Sequence, residues 1–164
     1  MKLLLLGENG KLGSNLKMNL IHKHDLLSLT RADIDINNRN KLKEIINAFK
    51  PEIVINASGY TDVEKSEFAK AEALKINSHF LDDISKLSLE IGACLIHFST
   101  DYVFDGEKNG FYNELDKTNP INYYGLSKLY GEESILNSNC NFMIFRISTL
   151  LGGYKKNIIY KILE

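Results

Sequence analysis

The stretch Lys2-Leu3-Leu4-Leu5-Leu6-Gly7-Glu8-Asn9-Gly10-Lys11-Leu12-Gly13 decides how this chain is read. An unbroken apolar run with no polar alternation is the pattern of a parallel strand buried on both faces. It stops at Gly7, and helical spacing follows from Gly10 to about His22. Between the two lies a G-x-x-G-x-x-G loop. Glycines there permit a tight turn and let backbone N–H groups approach a pyrophosphate, while the helix N-terminus favours negative charge. Gly7, Gly10, Lys11, Leu12 and Gly13 are therefore candidate cofactor-binding residues. The competing reading is a plain glycine-rich turn; the position, directly behind a buried strand and opening a helix, favours the phosphate loop.

Outward from this loop, short apolar runs alternate with longer helical stretches. Strands are expected at Asp25–Leu29, Glu52–Asn56, Ala93–Ser99 and Asn141–Ile147, with a very short one at Asp33–Ile36. Helices are expected over Asn38–Phe49, over Ser66–Ile91 with a break near Asn77 or Ser78, from Pro120 to about Leu136, and over Asn157–Leu163. Asp105–Asn119, rich in Gly, Asn and Asp, reads as a loop. This order implies right-handed βαβ units. The expected fold class is α/β, a Rossmann-type doubly wound, mostly parallel sheet with helices on both faces. No linker or composition shift divides the chain, so residues 1–164 are expected to form one NAD(P)-binding domain.

Of the residues, 44% are hydrophobic and 25% are charged, with a formal net charge of −1. These values are ordinary for a globular domain. Near-neutral charge argues against nucleic acid or an anionic membrane as partner. The apolar run at residues 3–6 is shorter than a signal-peptide core, and no stretch approaches the length of a membrane span, so a cytoplasmic location is expected. Cys94 and Cys140, each beside apolar residues, read as reduced thiols. None of His22, His24, His79 and His97 has metal spacing, and His97 falls in an expected buried strand; all four read as structural or surface residues, and no metal site is expected.

The second strand ends in Thr30-Arg31 with no acid at its tip. An acid there would bind the ribose 2′-hydroxyl of NAD, whereas an arginine suits the 2′-phosphate of NADP. Arg31 thus points to NADPH, with NADH as the alternative; Asp35, with Ile36 beside it, is placed to touch adenine. Ala57, Ser58 and Gly59 end another strand with small residues that leave room for the nicotinamide half.

Tyr124-Gly125-Leu126-Ser127-Lys128 is a Y-x-x-x-K motif within an expected helix, which puts Tyr124 and Lys128 on one face, one turn apart. A free phenol has a pKa of about 10, and bringing it to about 7 takes roughly 4 kcal/mol of differential stabilisation, which a neighbouring ammonium could help supply. Tyr124 could then act as proton donor to a carbonyl oxygen, with Lys128 also holding the nicotinamide ribose. Tyr123 is adjacent, so the spacing to Lys128 alone selects Tyr124. At the end of the Ala93–Ser99 strand, Thr100, with Ser99 as the fallback, offers a hydroxyl to the same carbonyl.

These motifs occur in order along nearly the whole chain: Gly7–Gly13, Asn56-Ala57-Ser58-Gly59-Tyr60-Thr61-Asp62-Val63-Glu64-Lys65-Ser66-Glu67, Ser99-Thr100-Asp101-Tyr102-Val103-Phe104-Asp105-Gly106, Pro120–Lys128 and Gly131-Glu132. Together they resemble the extended short-chain dehydrogenase/reductase superfamily, and within it the dTDP-4-dehydrorhamnose reductase family. The resemblance implies NADPH-dependent reduction of a 4-keto deoxysugar nucleotide for surface polysaccharide, with Thr100, Tyr124 and Lys128 as the catalytic set. It implies substrate contacts at Thr61, Val63 and Tyr102, and matches Asn77 to a family asparagine. The chain departs from the family at Thr149 or Leu150, where a tryptophan is usual. It also stops at Glu164, so most of the C-terminal substrate-binding region is expected to be lacking. A non-catalytic NADP-binding module, or the remnant of a truncated reductase, is therefore the alternative to an active enzyme. A nucleotide sugar is the expected partner, and a homo-oligomer is compatible with the sequence.

Overall fold

A computed structural model describes residues 1–34, 36 and 38–151. The expected helix over Asn157–Leu163 and the candidate Asp35 lie outside the described residues. Five strands, β1 (Lys2–Leu6), β2 (Asp25–Leu29), β3 (Ile53–Asn56), β4 (Cys94–Thr100) and β5 (Asn141–Ile147), form one sheet in the order β2-β1-β3-β4-β5. Every pairing is parallel. Leu3–Leu6 of β1 are each at most 2% exposed. The unbroken apolar run requires this of a central strand covered on both faces.

One face is covered by α2 (Arg39–Phe49), α5 (Phe80–Ile91) and α6 (Tyr123–Leu136), whose Leu42, Ile46, Leu81, Ile84 and Ile135 meet Leu4, Leu6, Val54 and Leu95. On the other, α1 (Lys11–Leu20) sets Leu16 and Leu20 against Leu3, Leu5 and Ile55. The chain runs outward from β1 to β2 and then crosses back to β3. Strand order therefore reverses between β1 and β3, and in open α/β sheets ligands bind in the crevice beyond the carboxyl ends of the strands at that point. Gly7 leaves β1 there and Ala57 leaves β3.

Three expectations are corrected. Among the described residues of the expected Asp33–Ile36 strand, Asp33 and Ile36 lie in turns and Ile34 is not in a strand. The Asp33 carboxylate accepts from both Thr30 N and Thr30 Oγ1 at 2.7 Å. Such a side-chain hydrogen bond closes the chain locally and competes with strand pairing. The helical stretch from Ser66 has its expected break near Asn77, a π-helical turn, and also an unexpected one at residues 67–69. A short α3 (Val63–Ser66) ends before Ala69, and α4 (Lys70–Leu74) passes through a π-helical turn at Lys75–His79 into α5. Last, α6 begins at Tyr123 rather than Pro120. Asn122 caps it, its Oδ1 accepting from Gly125 N at 2.8 Å. Glu67 Oε1 also accepts from Tyr123 N at 2.7 Å. Both satisfy N–H groups that a helix start leaves without intrahelical acceptors.

The π-turn and α6 approach very closely. A Cβ on Gly131 would lie 2.1 Å from the Asn77 carbonyl oxygen. Gly131→Ala is expected to push the helix off the turn and lower stability by about 2 kcal/mol or more, read as a lower urea midpoint at unchanged m-value.

Candidate active site

The glycine loop is shaped by close backbone approach. Gly7 has φ +88°, and a Cβ on it would lie 2.7 Å from Ser58 N; one on Gly13 would lie 2.1 Å from the Gly7 carbonyl oxygen. Gly10 begins α1 with no side-chain cap. The first-turn N–H groups of a helix have no intrahelical acceptors, so this end suits an anion. Glu8 turns back to Lys17 (2.7 Å) and Ser28, and those two hydrogen bonds hold its carboxyl below the usual range. Lys11 and Leu12 form the start of α1. A narrow cleft joins this loop to the β2 end, lined by Gly7, Thr30, Arg31, Ile34, Ile36 and Ser58. The expected cofactor residues Gly7, Arg31, Ile36 and Ser58 are thus neighbours in space.

At the β4 end, Thr100 and Tyr124 meet. The two tyrosines of α6 separate clearly: Tyr123 packs under Lys70 Nζ (5.1 Å to the ring centroid), whereas Tyr124 stands edge-on to Tyr102 (5.8 Å). Burial raises the Tyr124 phenol above its ordinary range, with the charges of Asp101 and Tyr102 acting the same way and a hydrogen bond with the Thr100 side chain opposing them. Ser99, the fallback for Thr100, has a buried hydroxyl with no hydrogen-bond partner among the described residues.

Lys128 is 4% exposed, and burial holds its pKa down to about 8, with Glu132 pulling upward. Its Nζ donates to the Phe98 carbonyl oxygen (2.7 Å) and lies 3.1 Å from His97 Nε2. The expected lowering of the Tyr124 phenol by an adjacent ammonium is not the arrangement seen. Lys128 is turned into the sheet, and desolvation dominates at Tyr124.

Residues outside the expected set hold this geometry. Asn77 Oδ1 accepts from Tyr60 N (2.8 Å), and its Nδ2 donates to Tyr60 O (3.0 Å) and Ser127 Oγ (2.9 Å), tying the loop after β3 to α6. That loop carries Gly59, where a Cβ would sit 4.0 Å from Lys128 Nζ. Glu132, 1% exposed, takes a bidentate ion pair from Arg146 of β5 (closest 2.7 Å). His97, read from sequence as structural, touches Lys128. The available signal was a polar residue inside each of two apolar runs, Ile53-Val54-Ile55-Asn56 and Leu95-Ile96-His97-Phe98.

Of the residues expected to contact substrate, Tyr102 is 46% exposed beside Tyr124. It lines a cavity of about 860 Å³ that Phe104, Tyr112, Phe145, Arg146 and Ser148 help to wall. Thr61 and Val63 sit at the start of α3, after Gly59. Asp105 organises the flanking loop, accepting from Tyr112 Oη (2.7 Å) and Glu107 N (3.0 Å), which holds its carboxyl at about 2. Among the described residues no cluster of His, Cys, Asp and Glu could hold a metal, and no helix is long and apolar enough to cross a membrane.

The RmlD substrate binding domain family matches residues 1–164. The chain is 34% identical over 165 residues to a dTDP-4-dehydrorhamnose reductase of Aggregatibacter actinomycetemcomitans, covering 99% of this chain and 56% of the relative. It is 34% identical over 164 residues to one of Burkholderia thailandensis, covering all of this chain and 55% of that one. A crystal structure of dTDP-4-dehydrorhamnose reductase from Bacillus anthracis in complex with NADP superposes with a TM-score of 0.94 at 31% identity, covering 99% of this chain and 58% of that one. The chain spans about half the length of the curated relatives it matches.

Buried Lys128 makes stability pH-dependent. The unfolded chain keeps the lysine proton to about 10.5, whereas the folded chain releases it near 8. The unfolded state therefore binds more protons between these values, and stability rises with pH there. Urea unfolding at about pH 6.5 and about pH 9.5 should show the wild-type chain gaining about 2 kcal/mol relative to Lys128→Met over that interval.

Proposed function

This chain belongs to the RmlD substrate binding domain family, and from that premise we propose that residues 1–164 form the NADPH-binding, catalytic-residue-bearing part of a reductase acting on a 4-keto deoxysugar nucleotide of the dTDP-4-dehydrorhamnose kind. The observation that carries the reading is the contact of Thr100 with Tyr124 at the carboxyl edge of the sheet, the edge the glycine turn also occupies, with Lys128 one turn along α6 and its Nζ on the Phe98 carbonyl oxygen. The uncapped start of α1 and the cradle at Gly7, which a Cβ would fill, fit a dinucleotide pyrophosphate. Arg31 fits a 2′-phosphate, which makes NADPH the cofactor and NADH the weaker alternative. Bound NADPH supplies the hydride.

The residues of the chain supply the proton and the orientation. Tyr124, its pKa raised by burial, is protonated at neutral pH and is the acid that donates to the substrate carbonyl oxygen as negative charge develops there. Thr100 adjoins the phenol, and its single O–H, which lies 3.1 Å from Asp101 Oδ1, would turn to the same carbonyl oxygen when substrate is bound. Lys128, whose Nζ lies near Gly59, would hold the nicotinamide ribose. Ala57, Ser58 and Gly59 leave space for that half of the cofactor, and Tyr102, Thr61 and Val63 line the way to the sugar. The reaction belongs to nucleotide-sugar supply for surface polysaccharide, in the cytoplasm, with a homo-oligomer as the assembly to look for. The second reading is an NADP-binding module without turnover.

Titration of the chain with NADPH, followed by addition of a dTDP-4-keto-6-deoxysugar, tests the reading through loss of nicotinamide absorbance. Turnover that Tyr124→Phe reduces by about a hundredfold or more is expected of the enzyme. Cofactor binding without oxidation supports the module instead, and a chain that binds no NADPH ends both readings. Arg31→Ala should weaken NADPH by about tenfold or more and leave NADH affinity nearly unchanged, as measured by fluorescence titration.

A further inference from the structure

We propose that His97 is a positioning residue for this site: through a tautomer set by Asn56 and Ser58, its Nε2–H faces Lys128 and donates to it once the lysine has lost its proton. The inference rests on the reading of Lys128 as a site residue, but its geometry is independent of that reading.

A backbone N–H can only donate, and Ser58 N lies 3.1 Å from one end of the Asn56 carboxamide, with Ser58 Oγ at 2.6 Å from the same atom. That end must be the oxygen. The other end is therefore the NH₂, and it lies 3.2 Å from His97 Nδ1. A donor facing Nδ1 requires a lone pair there. Burial, and then the charge of Lys128, hold His97 well below its ordinary range, so the ring is neutral and carries one proton. With Nδ1 accepting, that proton is on Nε2.

Nε2 lies 3.1 Å from Lys128 Nζ. An ammonium has three donors and no acceptor, so it would meet Nε2–H donor to donor inside the protein. A neutral amine fits: one N–H donates to the Phe98 carbonyl oxygen at 2.7 Å, the lone pair accepts from Nε2–H, and the second N–H is left for the site. The parallel register that sets Asn56 opposite His97 builds this relay. It runs from Ser58, on the loop that Gly7 touches, to the lysine one turn along α6 from Tyr124.

The titratable groups around Lys128 are His97 from β4 and Glu132 and Tyr124 from its own helix. Glu132 is committed to Arg146 of β5, and the π-turn contributes the neutral Asn77. The Asn56 backbone favours a protonated ring, but more weakly than burial and the Lys128 charge oppose one, and a proton on Nδ1 would collide with the Asn56 NH₂. A ligand that favours the ammonium form must therefore loosen the His97 contact.

The test uses the cofactor-free wild-type chain with ¹⁵N-labelled histidine and ¹³Cε-labelled lysine; the Lys128 signal is assigned by its loss in Lys128→Met. NMR should show His97 with a pyrrole-like Nε2 and a pyridine-like Nδ1, unchanged between about pH 6 and about pH 9. Asn56→Asp replaces the donor to Nδ1 with an acceptor; it should move the proton to Nδ1, turn Nε2 into an acceptor and raise the Lys128 titration midpoint by about one unit. A wild-type ring protonated at Nδ1, or doubly protonated at neutral pH, overturns the proposal without need of any variant. So does an Asn56→Asp chain whose ring tautomer and Lys128 midpoint both stay put. Because none of these readouts involves NADPH, a chain that shows the expected tautomer but binds no NADPH would end the functional reading alone.

Discussion

Burial of one lysine is the constraint around which this structure is arranged. An ammonium removed from water must find hydrogen bonds, lose its proton, or do both. Lys128 sits under the sheet edge with the Phe98 carbonyl and the His97 ring as its neighbours, and its proton is correspondingly loosened. A polar pair within two central strands would otherwise be a liability in a core of leucine and isoleucine. Here Asn56 and His97 satisfy each other across adjacent strands, and the ring reaches the helix that covers them.

The same economy of space governs the backbone. Three glycines let main-chain segments meet at distances no side chain would allow: Gly13 against Gly7, Gly125 against the Tyr102 carbonyl, and Gly131 against the Asn77 carbonyl. The first closes the glycine loop on its own helix. The other two seat α6 on the 3₁₀ turn after β4 and on the π-turn before α5. A π-turn widens the helix by a residue per hydrogen-bonded ring, and such turns often accompany functional sites. Here it carries Asn77, whose amide bonds both Tyr60 and Ser127. The carboxyl ends of β3 and β4 and the start of α6 are thereby tied into one unit, and a tyrosine on α6 can be held to a fixed place over the sheet.

Electrostatically the site keeps protons in place. Tyr124 is desolvated and holds its proton, as the proton donor proposed above must. Glu132, deeper on α6, is neutralised by Arg146, which also stacks over Phe104 (5.1 Å to the ring centroid) and so joins β5 to the segment after Thr100.

The strands were legible in the residues because each is a short apolar run bounded by glycine, proline or polar residues. The strands β1, β2 and β5 have the bounds that the run lengths imply. The glycine loop and the Tyr124–Lys128 spacing were legible for a related reason, since both depend on residues near one another in the chain. The segment at Asp33–Ile36 misled because a side-chain carboxylate outcompeted strand pairing, and the start of α6 because Asn122 and the distant Glu67 cap it. Nothing local announces where a long-range cap will come from. Sequence by itself thus determined the element types, the parallel class and the choice of Tyr124 over Tyr123 as candidate proton donor. Tertiary structure alone decided the direction in which Lys128 points, the contact it makes with His97 and the loosening of its proton by burial. Each depends on which strands lie side by side, and that register is set by packing between residues roughly forty positions apart.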